Sequence, residues 1–221
     1  SNYWTNLTMD DKYSKVAAPT FIASGWYDGN AAAAFIQFNG MRKQGKAVKS
    51  RESIVIIGPW WHALSGESTK TGDIDFGEQS RLDLEDLELQ WLDYQLNDVE
   101  NDISEFPPVK IFVMGINQWR DEQEWPLERT SWQKWYLSSH GHANTSSGDG
   151  RLSQSLSDQN NVDEFDYDPS DPVPTLGGAN LDNFYALAGP YNHNEIETRN
   201  DVLCYTTEIF FENMEVTGPI K

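Results

Sequence analysis

PTFIASGWYDG (residues 19–29) and SIVIIGPWWH (residues 53–62) decide the fold. The first reads as a short buried strand over 19–25, and the second begins with four consecutive β-preferring apolar residues. Between them lies AAAAFIQFNGMRKQG (31–45). Its alanines favour helix, Phe35, Phe38 and Met41 recur at helical spacing, and Gly45 is a stop signal. Strand, helix, strand is a βαβ unit, and a strand apolar on both faces belongs in a parallel sheet covered by helices.

The polar residues stand where these strands end. In an open α/β sheet, functional groups gather beyond the carboxyl ends of the strands. Asp28 follows the first strand and His62 the second, so one βαβ unit sets an acid and an imidazole side by side. Gly29 and Gly58-Pro59 are expected to supply the turns that expose them. An Asp-Gly pair is also an ordinary turn signal, and a lone histidine is more often structural than catalytic. The spacing leaves both readings open.

Further along, EQSRLDLEDLELQWLDYQL predicts a long helix over about 78–96. Leu84, Leu87 and Trp91 share a stripe that Leu89, Leu92 and Leu96 widen, so this helix should pack on the sheet. Near residue 105 the texture changes. VKIFVMG, WQKWYL, DVLCYTTEIFF and MEVTGPI are short β-rich runs between polar or Gly/Pro-rich stretches, the pattern of an antiparallel sandwich or jelly roll. The expected organisation is therefore 1–105 and 106–221, with 138–165 as the most mobile loop.

Composition narrows the partners. With 38% apolar and 13% aromatic residues in 221, the chain can build a packed core. A net charge of −19 disfavours nucleic acid and anionic membrane surfaces as partners. Cys204 is the single cysteine, which excludes an intrachain disulfide and leaves the compartment open. No apolar run approaches the ~20 residues of a membrane span.

GWYDG followed by IIGPWWH resembles the serine hydrolase family of cocaine esterase, α-amino acid ester hydrolases and Xaa-Pro dipeptidyl-peptidases. FVMGINQWRDEQEWPL (112–127), YDPSDPVPTLGG (167–178) and RNDVLCYTTEIFFENMEVTGPI (199–220) are similar to the family's C-terminal jelly-roll region, and Tyr3-Trp4 to its exit from the helical cap. The resemblance implies an α/β fold: the C-terminal part of an α/β-hydrolase sheet, then a partial, galactose-binding-like jelly roll. It implies Asp28 and His62 as triad members, with Trp26, Tyr27, Asn30, Trp60 and Trp61 around a substrate pocket. Trp60 and Trp61 have packing of the strand end as their alternative role. The implied reaction cleaves a small ester or amide through an acyl-serine, with no cofactor or metal.

Two departures shape that expectation. The family's nucleophile lies upstream in a Gly-x-Ser-x-Gly elbow, and this sequence contains none. Gly66-Glu67-Ser68-Thr69-Lys70 lacks the second glycine and follows the histidine, the wrong order. The chain is thus expected to be a piece carrying two triad members of three, inactive alone and prone to self-association through an unpaired sheet edge. Its sheet is incomplete enough that the loop after His62 is expected to wander. Second, Gly29, Asn30 and Ala31 stand where α-amino acid ester hydrolases carry acids for a substrate ammonium, which argues against that selectivity. The competing class is a non-catalytic jelly-roll module binding a glycan or a protein. His140-Gly141-His142 and His193 have no nearby Cys or acid of metal-ligand spacing, and Cys204 is expected to be a small buried hydrophobe.

Overall fold

The computed structural model describes residues 2–9, 11–62, 66–158, 161–181 and 187–220. In chain order it forms α1 (Asn2–Leu7), β1 (Phe21–Tyr27), α2 (Ala31–Gln44), β2 (Ile54–Trp61), β3 (Lys70–Thr71), β4 (Ile74–Asp75), α3 (Leu84–Asn97), β5 (Val109–Val113), β6 (Gln118–Glu122), β7 (Tyr136–Ser138) and β8 (Arg151–Ser153). Two compact units result: 1–128 with 177–191 and 218–221, and 129–176 with 192–217.

The first unit is built on a mixed sheet in the order β1-β2-β5-β6. β1 and β5 flank β2 in parallel, and β6 is antiparallel to β5. A mixed sheet with helices is an α/β architecture. β2 is central, and Val55, Ile56 and Ile57 have no exposed surface. Val55 and Ile57 join Val109, Ile111 and Val113 of β5 against Ala34, Phe35 and Phe38 of α2. Phe112, Phe76, Trp119 and Trp60 form a second aromatic cluster, with Phe112 and Trp119 ring centres 5.4 Å apart. Burial on both faces is why β2 is apolar at consecutive positions, since each such side chain contributes about 1.5–3 kcal/mol.

α2 ends as its sequence dictates, with the Gly45 N–H bonding the Met41 carbonyl at 2.8 Å. Gly40 interrupts a run of good helix formers because a Cβ there would overlap the Tyr13 ring. The helix expected over 78–96 divides into a 3-10 turn at Glu78–Ser80 and α3. Asp83 starts α3 by accepting from the Asp86 N–H at 2.9 Å, an N-cap bond. Leu84, Leu87 and Trp91 are half-buried, and Trp91 meets Phe21 edge-on at 6.0 Å. Leu89 and Leu96 do not widen the stripe, being 63% and 74% exposed. Leu89 stands roughly 200° around the helix from Leu87.

VKIFVMG, grouped by texture with the second part of the chain, instead supplies β5 of the first unit. Its consecutive apolar residues are the same doubly buried signature as in β2. In the second unit β7 pairs antiparallel with β8, and isolated bridges join Asn144 to Leu203 and Arg151 to Thr206. The strand expected over 201–211 is reduced to those bridges, with Phe211 fully exposed, and 214–220 forms neither strand nor bridge. Within 138–165, expected to be the most mobile loop, Asp163 accepts hydrogen bonds from the Ser139 hydroxyl, the Ala143 N–H and the Tyr205 phenol. Residues 159–160 of that loop lie outside the described residues.

Candidate active site

β1 and β2 run in register from Phe21–Ile54 to Gly25–Gly58, but Tyr27 then pairs with Trp61. β2 has one residue more than β1 over this interval, a bulge. Uninterrupted pairing would set Asp28 opposite Trp61. The extra residue brings Asp28 level with His62. The glycines of both motifs make this possible, because a Cβ on Gly25 would overlap the Trp60 carbonyl and one on Gly58 the Trp60 indole. Pro59 sits inside the irregular stretch, past the residues that pair with β5, where its missing N–H costs no ladder bond. Gly58-Pro59 therefore continues the strand to Trp61 and is not the turn that the sequence suggests. The loop after His62, expected to wander, opens with residues 63–65, which lie outside the described residues.

Asp28 is 6% exposed and makes three side-chain hydrogen bonds. Its Oδ1 accepts from the Asn30 N–H at 2.8 Å and lies 3.1 Å from His62 Nδ1. Its Oδ2 accepts from the Ser24 hydroxyl at 2.8 Å. The carboxylate stands just ahead of the first turn of α2, whose exposed N–H groups favour negative charge. Burial raises the Asp28 carboxyl. The bonds from Asn30, Ser24 and His62 together outweigh it and hold the group below the usual carboxylate range. The His62 side chain is 48% exposed, so an imidazole anchored at Nδ1 presents open surface. Such a pair can orient the ring and compensate an imidazolium charge.

The remaining candidates divide. Asn30 is exposed, with its amide nitrogen 3.5 Å from His62 Nδ1. Tyr27 and Trp61 are half-buried at the strand ends, and burial pushes the Tyr27 phenol up. Trp26, half-buried, and Trp60, buried, both make packing contacts. The Trp26 indole donates to the Phe112 carbonyl at 2.7 Å and lies beside Phe35 and Trp125. Trp60, 2% exposed, lies against Trp119. The Ser68 hydroxyl is engaged by the Lys70 backbone, donating to its carbonyl at 2.9 Å and accepting from its N–H at 3.1 Å. Among the described residues, the His62 ring bonds Asp28, which is not a hydroxyl nucleophile.

His140 and His142 are exposed, and the His193 Nε2–H donates to the Leu176 carbonyl at 2.7 Å. Among the described residues no group of three or more His, Cys, Asp or Glu is placed to hold a metal ion. Cys204 is half-buried, and burial pushes its thiol up. Sequence reasoning does not single out Ser24. The available signal is a hydroxyl four residues ahead of Asp28, near the end of β1, with the chain turning between them through the Asp28 N–H to Gly25 carbonyl bond.

A parallel pair joined by a helix, with polar residues gathered at its carboxyl end, defines an α/β protein of the kind that carries sites at sheet edges. Residues 1–64 match the family model of the X-Pro dipeptidyl-peptidase (S15 family), and residues 101–221 that of the X-Pro dipeptidyl-peptidase C-terminal non-catalytic domain. Over 226 residues the chain is 35% identical to cocaine esterase of Rhodococcus sp. (strain MB1 Bresler), covering 99% of this chain and 37% of that protein. The crystal structure of an aminopeptidase from a marine sediment archaeon, Thaumarchaeota archaeon, superposes with a TM-score of 0.64 at 21% identity, over 94% of this chain and 33% of that one. The chain belongs to the serine hydrolase family of X-Pro dipeptidyl-peptidases (S15) and cocaine esterase. It spans little more than a third of the relative's length. Among the described residues no helix is long and apolar enough to cross a membrane.

Proposed function

We propose that Asp28 and His62 are the acid and base of a Ser-His-Asp triad that cleaves an ester or amide acyl bond. The supporting observation is the 3.1 Å link between a buried, thrice-bonded carboxylate and a half-open imidazole at the ends of adjacent parallel strands. His62 takes the proton of a serine hydroxyl as that oxygen attacks the acyl carbonyl, then delivers it to the leaving alcohol or amine. A water molecule, deprotonated by the same imidazole, releases the acyl group from serine. Asp28 holds the proton-bearing Nδ1 and compensates the imidazolium charge.

No Gly-x-Ser-x-Gly occurs in the 221 residues, so the nucleophile and its oxyanion hole come from a segment other than these. For the second unit we propose part of a β jelly roll in a non-catalytic role, supported by the description of the 101–221 family model and by the antiparallel β7–β8 pair.

The test is hydrolysis of p-nitrophenyl acetate and butyrate by the purified chain. Turnover no greater than that of His62→Ala is expected. Turnover clearly above that control would overturn the assignment of the nucleophile to another segment. The coding sequence ahead of residue 1 separates this reading from a binding module: a Gly-x-Ser-x-Gly elbow there supports the hydrolase.

A further inference from the structure

We propose that Ser24 is a positioning residue for the Asp28–His62 pair, its hydroxyl fixing the plane of the Asp28 carboxylate so that Oδ1 stays turned toward His62 Nδ1. The inference rests on the triad reading above.

A carboxylate has two equivalent oxygens and turns freely about its last bond unless both are held. Oδ1 has two partners, the Asn30 N–H and the His62 ring. With those alone, the group could swing about Oδ1 or exchange its oxygens. The bond from Ser24 Oγ to Oδ2, at 2.8 Å, is the second fixed point. Ser24 is held by β1, where it pairs with Ile57 of β2, so the anchor belongs to the sheet. The bond also counters the burial of a charge that is 6% exposed.

The geometry carries a consequence for Asp28→Asn. With the Asn30 N–H facing Oδ1, a substituted amide places its oxygen there and its NH2 at Ser24, whose hydroxyl can accept. His62 Nδ1–H then still meets an oxygen, unlike a triad in which the amide offers its N–H to the ring. Asp28→Asn here should remove charge while keeping the tautomer.

The experiment is 15N–1H multiple-bond correlation spectroscopy of the intact chain with 15N-labelled histidine. His62 is assigned with His62→Gln, and folding is followed in the amide spectrum. In the wild-type chain the neutral His62 ring should carry its proton on Nδ1. Ser24→Ala should lower the ratio of Nδ1–H to Nε2–H tautomers roughly tenfold, ~1.4 kcal/mol, and Ser24→Thr should restore it. Ser24→Val against Ser24→Thr compares side chains of one shape that differ in the hydroxyl, and reads the effect should the alanine variant not fold. If Asp28→Ala moves the ratio but Ser24→Ala and Ser24→Val do not, the role of Ser24 is overturned and the pair stands. If Asp28→Ala leaves the ratio unchanged as well, the pair reading falls with it.

Discussion

GWYDG contains two glycines, and the structure separates their jobs. A Cβ on Gly25 would overlap the carbonyl, and press on the Cα, of Trp60, backbone atoms of the neighbouring strand that cannot swing aside. A Cβ on Gly29 would meet the Leu181 side chain at 3.2 Å and the Ala179 carbonyl at 3.3 Å, tight contacts that a small shift relieves. Gly25→Ala therefore forces β1 from β2 at the bulge. Overpacking of this kind costs about 1–3 kcal/mol, and each ladder bond lost about 0.5–1.5 kcal/mol more. With one bond lost the sum is about 1.5–4.5 kcal/mol. Opening of β2 should then be promoted by roughly 10- to 2,000-fold. Native-state hydrogen exchange at Val55, Ile56 and Ile57 reads this, and it needs no two-state behaviour from a chain of two units. Gly29→Ala should change protection by less than about fivefold. Were Gly29→Ala the more damaging variant, the motif would be an ordinary Asp-Gly turn and the bulge would not be what levels Asp28 with His62.

Phe38, 1% exposed between α2 and the sheet, should cost about 3–5 kcal/mol when replaced by alanine. Ile36, on the same helix but 57% exposed, should cost under about 0.5 kcal/mol, both read by denaturant unfolding of the first unit. Because the Asp28 carboxyl is lowered on folding, its stabilising contribution is complete above the unfolded value of about 3.9 and is lost as pH falls through the lower folded value. Acid titration of stability should accordingly be shallower in Asp28→Asn than in the wild-type chain below about pH 4. In the second unit, the hydrogen bond to Asp163, followed by burial, pushes the Tyr205 phenol up to about 12. Ultraviolet difference titration should find it there, and Asp163→Asn should bring it back toward the ordinary tyrosine value.

The βαβ core was legible because its signals are local. Uninterrupted apolar runs, a helix period and a glycine stop each follow from a few neighbouring residues, and together they set Asp28 beside His62. What escaped depends on distant partners. VKIFVMG carries the same doubly apolar signature as β2, but no local feature says that it returns to β2 across α3. Gly58-Pro59 has the composition of a turn, and only the position of Trp60 against both glycines explains why the strand continues through it. Trp60 has the chemistry of a pocket wall, and its distant neighbour Trp119 is what buries it, while the Trp26 indole finds its acceptor in the Phe112 carbonyl, 86 residues on. Ser24 lies within an apolar run where one hydroxyl carries no pattern, and its use emerges from the carboxylate four residues on.

Reconstitution of the acyl transfer tests the central claim most directly. The chain, joined to a family segment bearing the Gly-x-Ser-x-Gly elbow, is assayed with p-nitrophenyl butyrate alongside its His62→Ala variant, with hydrogen exchange of β2 to confirm folding. Turnover should emerge in the joined protein and fall by about 10³-fold or more in the folded variant. A folded His62→Ala protein that keeps more than about a tenth of the turnover would contradict the assignment of His62 as the base.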